Sequence, residues 1–472
     1  MLKISEADIR KSLEQDNPWW QTGQVPHDVP AGHVRSYLPA FEQLALNWDI
    51  KRSVILLGPR RVGKTVMLRQ LVERLIKSGF PQKCICFASI DTPTYSGLGL
   101  EHLLALFAAA TGVAKGARSV VIFDEIQYLK DWEVHLKVLT DKYPETRFIA
   151  SGSAAAALRL KSQESGAGRF TDFYLPPLTF AEFLRFTRQE KKLINEKTTS
   201  KRYSTPDIES LNACFIQYLN FGGYPEAVLN PNIQSDLRRY LGRDIVDKVL
   251  LRDLPSLYGI EDIQELNRLF ATIAYNTGQE VSLERLSQSS NVAKTTIKRY
   301  LDYLEAAFLI VRVRRTDDNA RSFQRERNFK VYLTNPSMRA ALYAPIGEGD
   351  KAIGALVETA IFSQWFHSEI FRNIRYARWK EGRKDLEVDL VCTHTATLGL
   401  LWAYEVKWSD RVVDHPEDIA GLVSLAKTHP ALPVGVTSKT VSRDILIDGV
   451  QVRHFPCALH CYQIGRNIML NN

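Results

Sequence analysis

The sequence predicts an α/β protein with a parallel sheet near its N-terminus, a mainly helical middle and a second α/β region at its C-terminus. Three observations carry this reading. Apolar runs at Val54–Leu57, Lys83–Ile90, Ser119–Phe123 and Arg147–Ala150 alternate with helical patterning, as parallel strands buried on both faces do. A glycine-rich turn, Gly58 to Gly63, joins the first run to a helix expected over Thr65–Lys77. Polar groups follow the later strands, Asp124-Glu125 after one and Ser151-Gly152-Ser153 after the next, and open α/β sheets bind ligands at strand C-termini.

The chain has 472 residues, about three domains at roughly 150 residues each. Residues 1–50, with Trp19-Trp20 and an amphipathic stretch from Val34 to Trp48, read as a helical preface. The expected sheet domain covers 51–187, a helical region 188–340 and the last α/β region 341–472. Residues 188–206 are rich in Lys, Glu, Thr and Ser and read as a loop or linker.

Hydrophobic residues make up 45% and charged residues 24% of the chain, which excludes a disordered class. The formal charge of +8 is compatible with a polyanionic partner but is spread over a long chain. The first eight residues carry Glu6 and Asp8 where a signal peptide carries an apolar run, and no apolar stretch approaches membrane-spanning length. A cytoplasmic protein without membrane contact is expected. The six cysteines read as reduced core residues, and the spacing of His454, Cys457, His460 and Cys461 fits no standard zinc site.

Gly58-Pro59-Arg60-Arg61-Val62-Gly63-Lys64-Thr65 fits G-x-x-x-x-G-K-[ST] between a strand and a helix, with Val66 next in the first turn. Such a loop curls so that its N–H groups face phosphates. Lys64 is then expected to span the β- and γ-phosphates of ATP, and the Thr65 hydroxyl to bind Mg²⁺. Asp124 is placed to hold the same Mg²⁺ and Glu125 to polarise the attacking water. Ser151 and Ser153 follow a strand, where they serve either as sensors of the γ-phosphate or as turn formers. Arg169, in Gly168-Arg169-Phe170, reads either as an arginine finger reaching a neighbouring subunit or as a surface residue.

Leu283, Leu286, Val292, Ile297, Leu301 and Leu304 have the rhythm of a helix-turn-helix, which exposes Lys294, Thr295, Thr296 and Lys298. Phe308–Arg315 and Phe329–Leu333 then read as a hairpin, and residues 312–330 hold seven basic and three acidic residues, the composition of a wing touching DNA phosphates. A winged helix also serves protein packing, and both uses stay open. Glu387–Val391 and Ala403–Lys407 read as paired strands with Asp389, Glu405 and Lys407 on one face and Glu358 on a preceding helix. Metal-assisted phosphodiester cleavage needs such a set, with Asp389 and Glu405 as metal ligands; Glu-x-Lys on a strand also forms plain ion pairs.

The phosphate loop, Ile122-Phe123-Asp124-Glu125-Ile126-Gln127, Ser151-Gly152-Ser153, Leu175-Pro176-Pro177-Leu178-Thr179-Phe180-Ala181-Glu182-Phe183 and Gly222-Gly223-Tyr224-Pro225-Glu226 together resemble a widespread prokaryotic family of AAA-type ATPases. That resemblance runs through nearly the whole chain. It implies a C-terminal domain of unknown function, in which a winged helix matching Tyr300-Leu301-Asp302-Tyr303-Leu304-Glu305 precedes a domain similar to PD-(D/E)xK nucleases. It also implies catalytic roles for Lys64, Thr65, Asp124 and Glu125, a finger role for Arg169, and a nuclease pattern at Glu358, Asp389, Glu405 and Lys407. Val388-Asp389 stands where that pattern has proline-aspartate, and proteins of this fold include DNA binders that do not cut. The function expected is an oligomeric ATPase that couples nucleotide state to DNA remodelling, branched-DNA processing or defence, with metal-dependent DNA cleavage as an optional addition. The alternative is a nucleotide-dependent switch acting through protein partners.

Overall fold

In the computed structural model, residues 5–26, 32–95, 97–114, 116–153, 168–197, 202–319, 328–366, 368–394 and 399–471 are described. They divide into two compact units, one ending at Leu175 and one running from Pro176 to Asn471.

The first unit is built on five parallel strands, β1 (Ser53–Leu57), β2 (Ile85–Ser89), β3 (Ser119–Asp124), β4 (Thr146–Gly152) and β5 (Phe170–Tyr174), in the order β2-β3-β4-β1-β5. Every residue of β1 and β3 is buried, as expected for strands covered by helices on both faces. Because β4 lies between β1 and β3, the loop after β1, the acids after β3 and the serines ending β4 meet at one edge.

Strand β2 is an edge strand, and the N-terminal segment shields part of it. The helix Glu6–Asp16 is capped by Ser5, whose hydroxyl accepts from the Asp8 amide. Asn17 follows and pairs with both backbone groups of Phe87, donating to its carbonyl at 2.8 Å and accepting from its amide at 2.6 Å. The Trp20 indole donates to the Ile85 carbonyl at 2.6 Å. Side chains thus satisfy edge groups that would otherwise invite another strand.

The second unit carries a two-stranded hairpin, β6 (Asn195–Lys197) and β7 (Arg202–Ser204), inside the stretch expected to be a loop. Its main sheet has nine strands: β8 (Glu280–Ser282), β9 (Ile310–Thr316), β10 (Asn328–Leu333), β11 (Ile374–Glu381), β12 (Lys384–Thr393), β13 (Leu400–Glu405), β14 (Val434–Ser438), β15 (Arg443–Ile447) and β16 (Val450–Pro456). Their order is β15-β16-β14-β13-β12-β11-β9-β10-β8.

Two expected boundaries fall inside this unit. Parallel pairing of β9 with β11, at Arg315–Tyr376 and Thr316–Ala377, carries the sheet across residue 340, so 188–340 and 341–472 share one sheet. Residues 176–187, expected with the first domain, supply the helix Phe180–Phe186 to the second unit. There Phe180, Phe183 and Leu184 enter the same core as Tyr218, Tyr332, Phe362 and Tyr462.

The motif Gly222-Gly223-Tyr224-Pro225 is tied to this core at Leu178. The Gly223 carbonyl accepts from the Leu178 amide at 3.0 Å, and a Cβ on Gly223 would sit 2.3 Å from the Asn335 side chain. His460 stacks on Phe455 with ring centroids 5.0 Å apart, on the helix Cys457–Asn471, which also buries Cys457 and Cys461.

Two predictions follow from this packing. Gly223→Ala overfills a tight contact and should destabilise the protein by about 1–3 kcal/mol, read from urea denaturation; an unchanged midpoint would contradict the contact. Burial, then the charge of Arg453, pushes the His460 imidazole down to about 4. The unfolded chain therefore binds a proton below about 6.5 that the folded chain refuses until about 4. Stability should fall as pH drops through that window, and His460→Phe should flatten the melting temperature there; an equal slope in the variant would contradict it.

Candidate functional site

The phosphate loop has the backbone its sequence calls for. Gly63 sits at φ 92° and Arg61 at φ 64°, so the chain curls before the helix Lys64–Lys77. Gly58 has no room for a side chain, because a Cβ would meet the Leu175 carbonyl oxygen at 2.2 Å. Lys64 is 4% exposed, and its ammonium donates to the carbonyls of Gly58 at 3.0 Å and Pro59 at 2.9 Å. Val62 is buried and its carbonyl accepts from Arg35 at 2.6 Å. Arg60 donates to the Tyr128 hydroxyl at 2.8 Å. Val66 is half-buried in the first turn.

Asp124 links three of these elements. Its Oδ2 accepts from the Thr65 hydroxyl at 2.7 Å, and its Oδ1 accepts from the Ser151 hydroxyl. Burial raises its carboxyl above the ordinary range, with the charge of Glu125 adding and both hydroxyls opposing. Glu125 adopts φ 53°, a left-handed conformation rare for a side chain of its size. Its amide donates to Ser151 Oγ at 3.0 Å, so one serine holds both acids. Gln127 donates to Glu125 Oε2 and, at 3.3 Å, to Ser153 Oγ. Arg35 and Gln127 were not singled out from the sequence; the signal for Gln127 was its place two residues after Glu125.

A hydroxyl and a carboxylate oxygen side by side are hard donors of the kind Mg²⁺ prefers, and their hydrogen bonds bring no positive charge to Asp124. The residues present fit that ion.

Arg169 stands elsewhere. Its carbonyl accepts from the Ser53 amide at the start of β1, the opposite end of that strand from the loop, and its side chain pairs with exposed Asp141 at 2.5 Å. It takes no part in the phosphate site of its own chain.

In the second unit, the helices Leu283–Ser290 and Lys294–Ala306 meet at Asn291, whose φ of 55° makes the turn. Leu286, Val292, Ile297, Leu301 and Leu304 are buried, Leu283 is half-buried, Lys294, Thr295 and Lys298 are exposed, and Thr296 is half-buried. Lys294 pairs with Glu284 at 3.1 Å. β9 and β10 form the expected antiparallel pair, and several of its basic residues pair within the unit. Arg312 pairs with Glu305 and with Asp302 at 2.6 Å, and Arg315 donates to the Arg378 carbonyl at 2.9 Å. Arg321, Arg325 and Arg327 lie outside the described residues.

Glu358, Asp389, Glu405 and Lys407 do come together. Asp389 on β12 accepts from the Val406 amide at 3.0 Å, and its own amide donates to Glu405 Oε2 at 3.3 Å. Lys407 donates to Glu405 Oε1 at 2.7 Å. At the centre, however, is Lys330, whose ammonium lies 2.9 Å from Glu358, 2.9 Å from Glu387 and 3.0 Å from Asp389. Tyr332 donates to Glu358 at 2.6 Å.

Burial, then the Asp389 charge, pushes Glu358 up to about 7 and Glu405 up to about 8. Burial would raise Asp389 as well, but the ammonium groups of Lys330 and Lys407 outweigh it and hold that carboxyl below its usual range. Burial opposes the charge on Lys330, yet Glu358 and its neighbours hold that ammonium well above its usual range. Among the described residues no group of three acidic, His or Cys side chains is arranged to hold a metal. Asp389 and Glu405, expected as metal ligands, face the ammonium groups of Lys330 and Lys407. Lys330 was missed in the sequence, where its signal is a charge inside the apolar run Phe329–Leu333.

With this geometry in place, the comparisons with known proteins bear on the first unit. Residues 51–184 match the family model of the AAA domain. The first unit carries an AAA-type P-loop domain. Residues 212–350 match a domain of unknown function. An uncharacterized protein of Methanocaldococcus jannaschii is 26% identical over 261 residues, which are 54% of this chain and 55% of that protein. An uncharacterized protein of Haemophilus influenzae is 23% identical over 290 residues, 60% of this chain and 68% of that protein. The chain therefore spans about half the length of the first of these relatives. Among solved structures, Cdc6p from Pyrobaculum aerophilum is similar at a TM-score of 0.29 and 14% identity, covering 69% of this chain and 96% of that one. A likeness that low carries no argument about function. No helix among the described residues is long and apolar enough to cross a membrane.

The network makes one stability prediction. Ser151→Ala removes the hydroxyl shared by Asp124 and the Glu125 amide, leaving buried polar groups short of a partner. A loss of about 1–3 kcal/mol should appear in denaturant unfolding of the AAA unit, and no loss would show that the hydroxyl is replaceable there.

Proposed function

We propose that the chain is an AAA-type ATPase that hydrolyses ATP and couples its nucleotide state to DNA. The observation that carries the ATPase reading is the Thr65–Asp124–Ser151–Glu125 network at the C-terminal edge of the parallel sheet.

In this reading the amides of Gly58–Lys64 and the N-terminus of the helix Lys64–Lys77 receive the phosphates. Lys64 exchanges the Gly58 and Pro59 carbonyls for phosphate oxygens. Thr65 and Asp124 would hold Mg²⁺, which when bound offsets the charge of the phosphates. Glu125, oriented by Gln127 and by the backbone bond to Ser151, takes the proton of the attacking water. Arg169, remote from its own loop, serves the site of a neighbouring copy in an oligomer.

For the DNA part, support comes from the exposed Lys294, Lys298 and Arg299 on the second helix of the helix-turn-helix. The neighbouring hairpin and sheet form a winged-helix and nuclease-like unit in this reading, used for binding and not for cutting. A second reading is favoured by the inward-facing Arg312, Arg315 and Lys330: the wing packs internally, and ATP switches a protein-binding state.

ATP hydrolysis by the full chain, with and without duplex, single-stranded and four-way-junction DNA, separates the readings. Stimulation by one DNA form, lost steeply with added salt, supports the coupled enzyme; indifference to all three supports the switch. Lys64→Ala should abolish ATP binding, and Glu125→Gln should retain it while lowering turnover on the order of a hundredfold. Normal ATP affinity in Lys64→Ala would overturn the phosphate-loop assignment.

A further inference from the structure

We propose that Lys330 is a tethered cation that takes the place of a divalent metal in the carboxylate cluster, making Glu358, Glu387 and Asp389 a metal-free strut.

A lysine ammonium has three donors; here it donates to Glu358 at 2.9 Å and to Asp389 at 3.0 Å, and it lies 2.9 Å from a Glu387 oxygen. The three acids come from different places: Glu358 from the helix Ile353–Ser363, and Glu387 and Asp389 from one face of β12. Lys330 comes from β10 and is 3% exposed, with the Tyr376 ring 5.5 Å from its ammonium. The ammonium is therefore enclosed among three carboxylates.

Other acidic groups face shared cations, since Arg378 also pairs with Glu280 at 2.8 Å and with Asp385 at 2.6 Å. Glu405 is paired with Lys407 at 2.7 Å, and the second oxygen of Glu387 lies 3.3 Å from Arg378. Tyr332 adds a donor to Glu358. A hydrolytic Mg²⁺ centre needs carboxylates whose charge is left for the ion, near-octahedral oxygen ligands and room for several waters. An ion placed among these acids would instead meet a buried ammonium at the same point. Asp124 differs in that its hydrogen-bond partners are neutral hydroxyls, while the Lys64 ammonium acts on it through charge alone.

The strut also has a mechanical consequence. It joins β10 of the hairpin that follows the helix-turn-helix to β12 and to the helix Ile353–Ser363, so all three are held by a single buried charge. Removing that ammonium leaves uncompensated carboxylates of like sign facing one another. Such a set seeks either protons or another cation.

The test is Mn²⁺ binding, counted by electron paramagnetic resonance on the nucleotide-free full chain. Asp124→Asn is the background, so that the phosphate-loop ion does not contribute and the result is separate from the ATPase reading. The background protein should bind no Mn²⁺ that depends on Asp389. Lys330→Ala in that background should gain one bound ion per chain, lost again on adding Asp389→Asn. The proposal is overturned by an ion in the background protein that Asp389→Asn removes, or by a folded Lys330→Ala that takes up none. Where Lys330→Ala does not fold, the pair formed by the background protein and its Asp389→Asn variant decides alone.

Discussion

The AAA unit depends on one buried carboxylate. Asp124 is 1% exposed, at the end of an all-apolar strand, and an uncompensated charge there would be costly. Its hydrogen bonds to Thr65 and Ser151 tie the helix after the phosphate loop to β3 and β4. The strand order makes those bonds available, since β4 runs between the loop strand and the acid strand. The glycines of the loop follow from the same constraint. Gly58 lies against the Leu175 carbonyl, and Gly63 takes the left-handed turn that starts the helix, together placing Thr65 within 2.7 Å of the acid.

The second unit meets the problem of buried acids differently. Its carboxylates face ammonium groups. The sequence pattern is nearly the same in both units, acids following or lying within apolar strands, yet the sign and charge of the neighbouring donors separate them. A hydroxyl orients a carboxylate and leaves its charge for a cation, whereas an ammonium consumes it. That distinction separates the proposed Mg²⁺ site from the proposed strut, and it is invisible to any count of acidic residues.

Much of the first unit was legible because its signals are local. A glycine-rich loop between strand and helix, and two acids after an apolar run, depend on neighbours in sequence. The helix expected over Thr65–Lys77 is found at Lys64–Lys77, and Ser119–Phe123 extends by one residue to Asp124. The second unit was harder because its decisive contacts are long-range. The pairing of β9 with β11 joins Arg315 to Tyr376, and no periodicity within either strand announces it. Lys330 reaches Glu358, Glu387 and Asp389 through the fold alone. Residues 312–330 looked basic and exposed, but Arg312, Arg315 and Lys330 find their partners inside the protein.

The measurement that bears most directly on the central claim is ATP binding by calorimetry with and without Mg²⁺, in the wild-type chain and in Asp124→Asn. If Asp124 and Thr65 hold the ion, Mg²⁺ tightens ATP binding in the wild type and that gain disappears in the variant, while ATP alone still binds. An equal gain from Mg²⁺ in both proteins would contradict the account, because the ion would then be held by other groups.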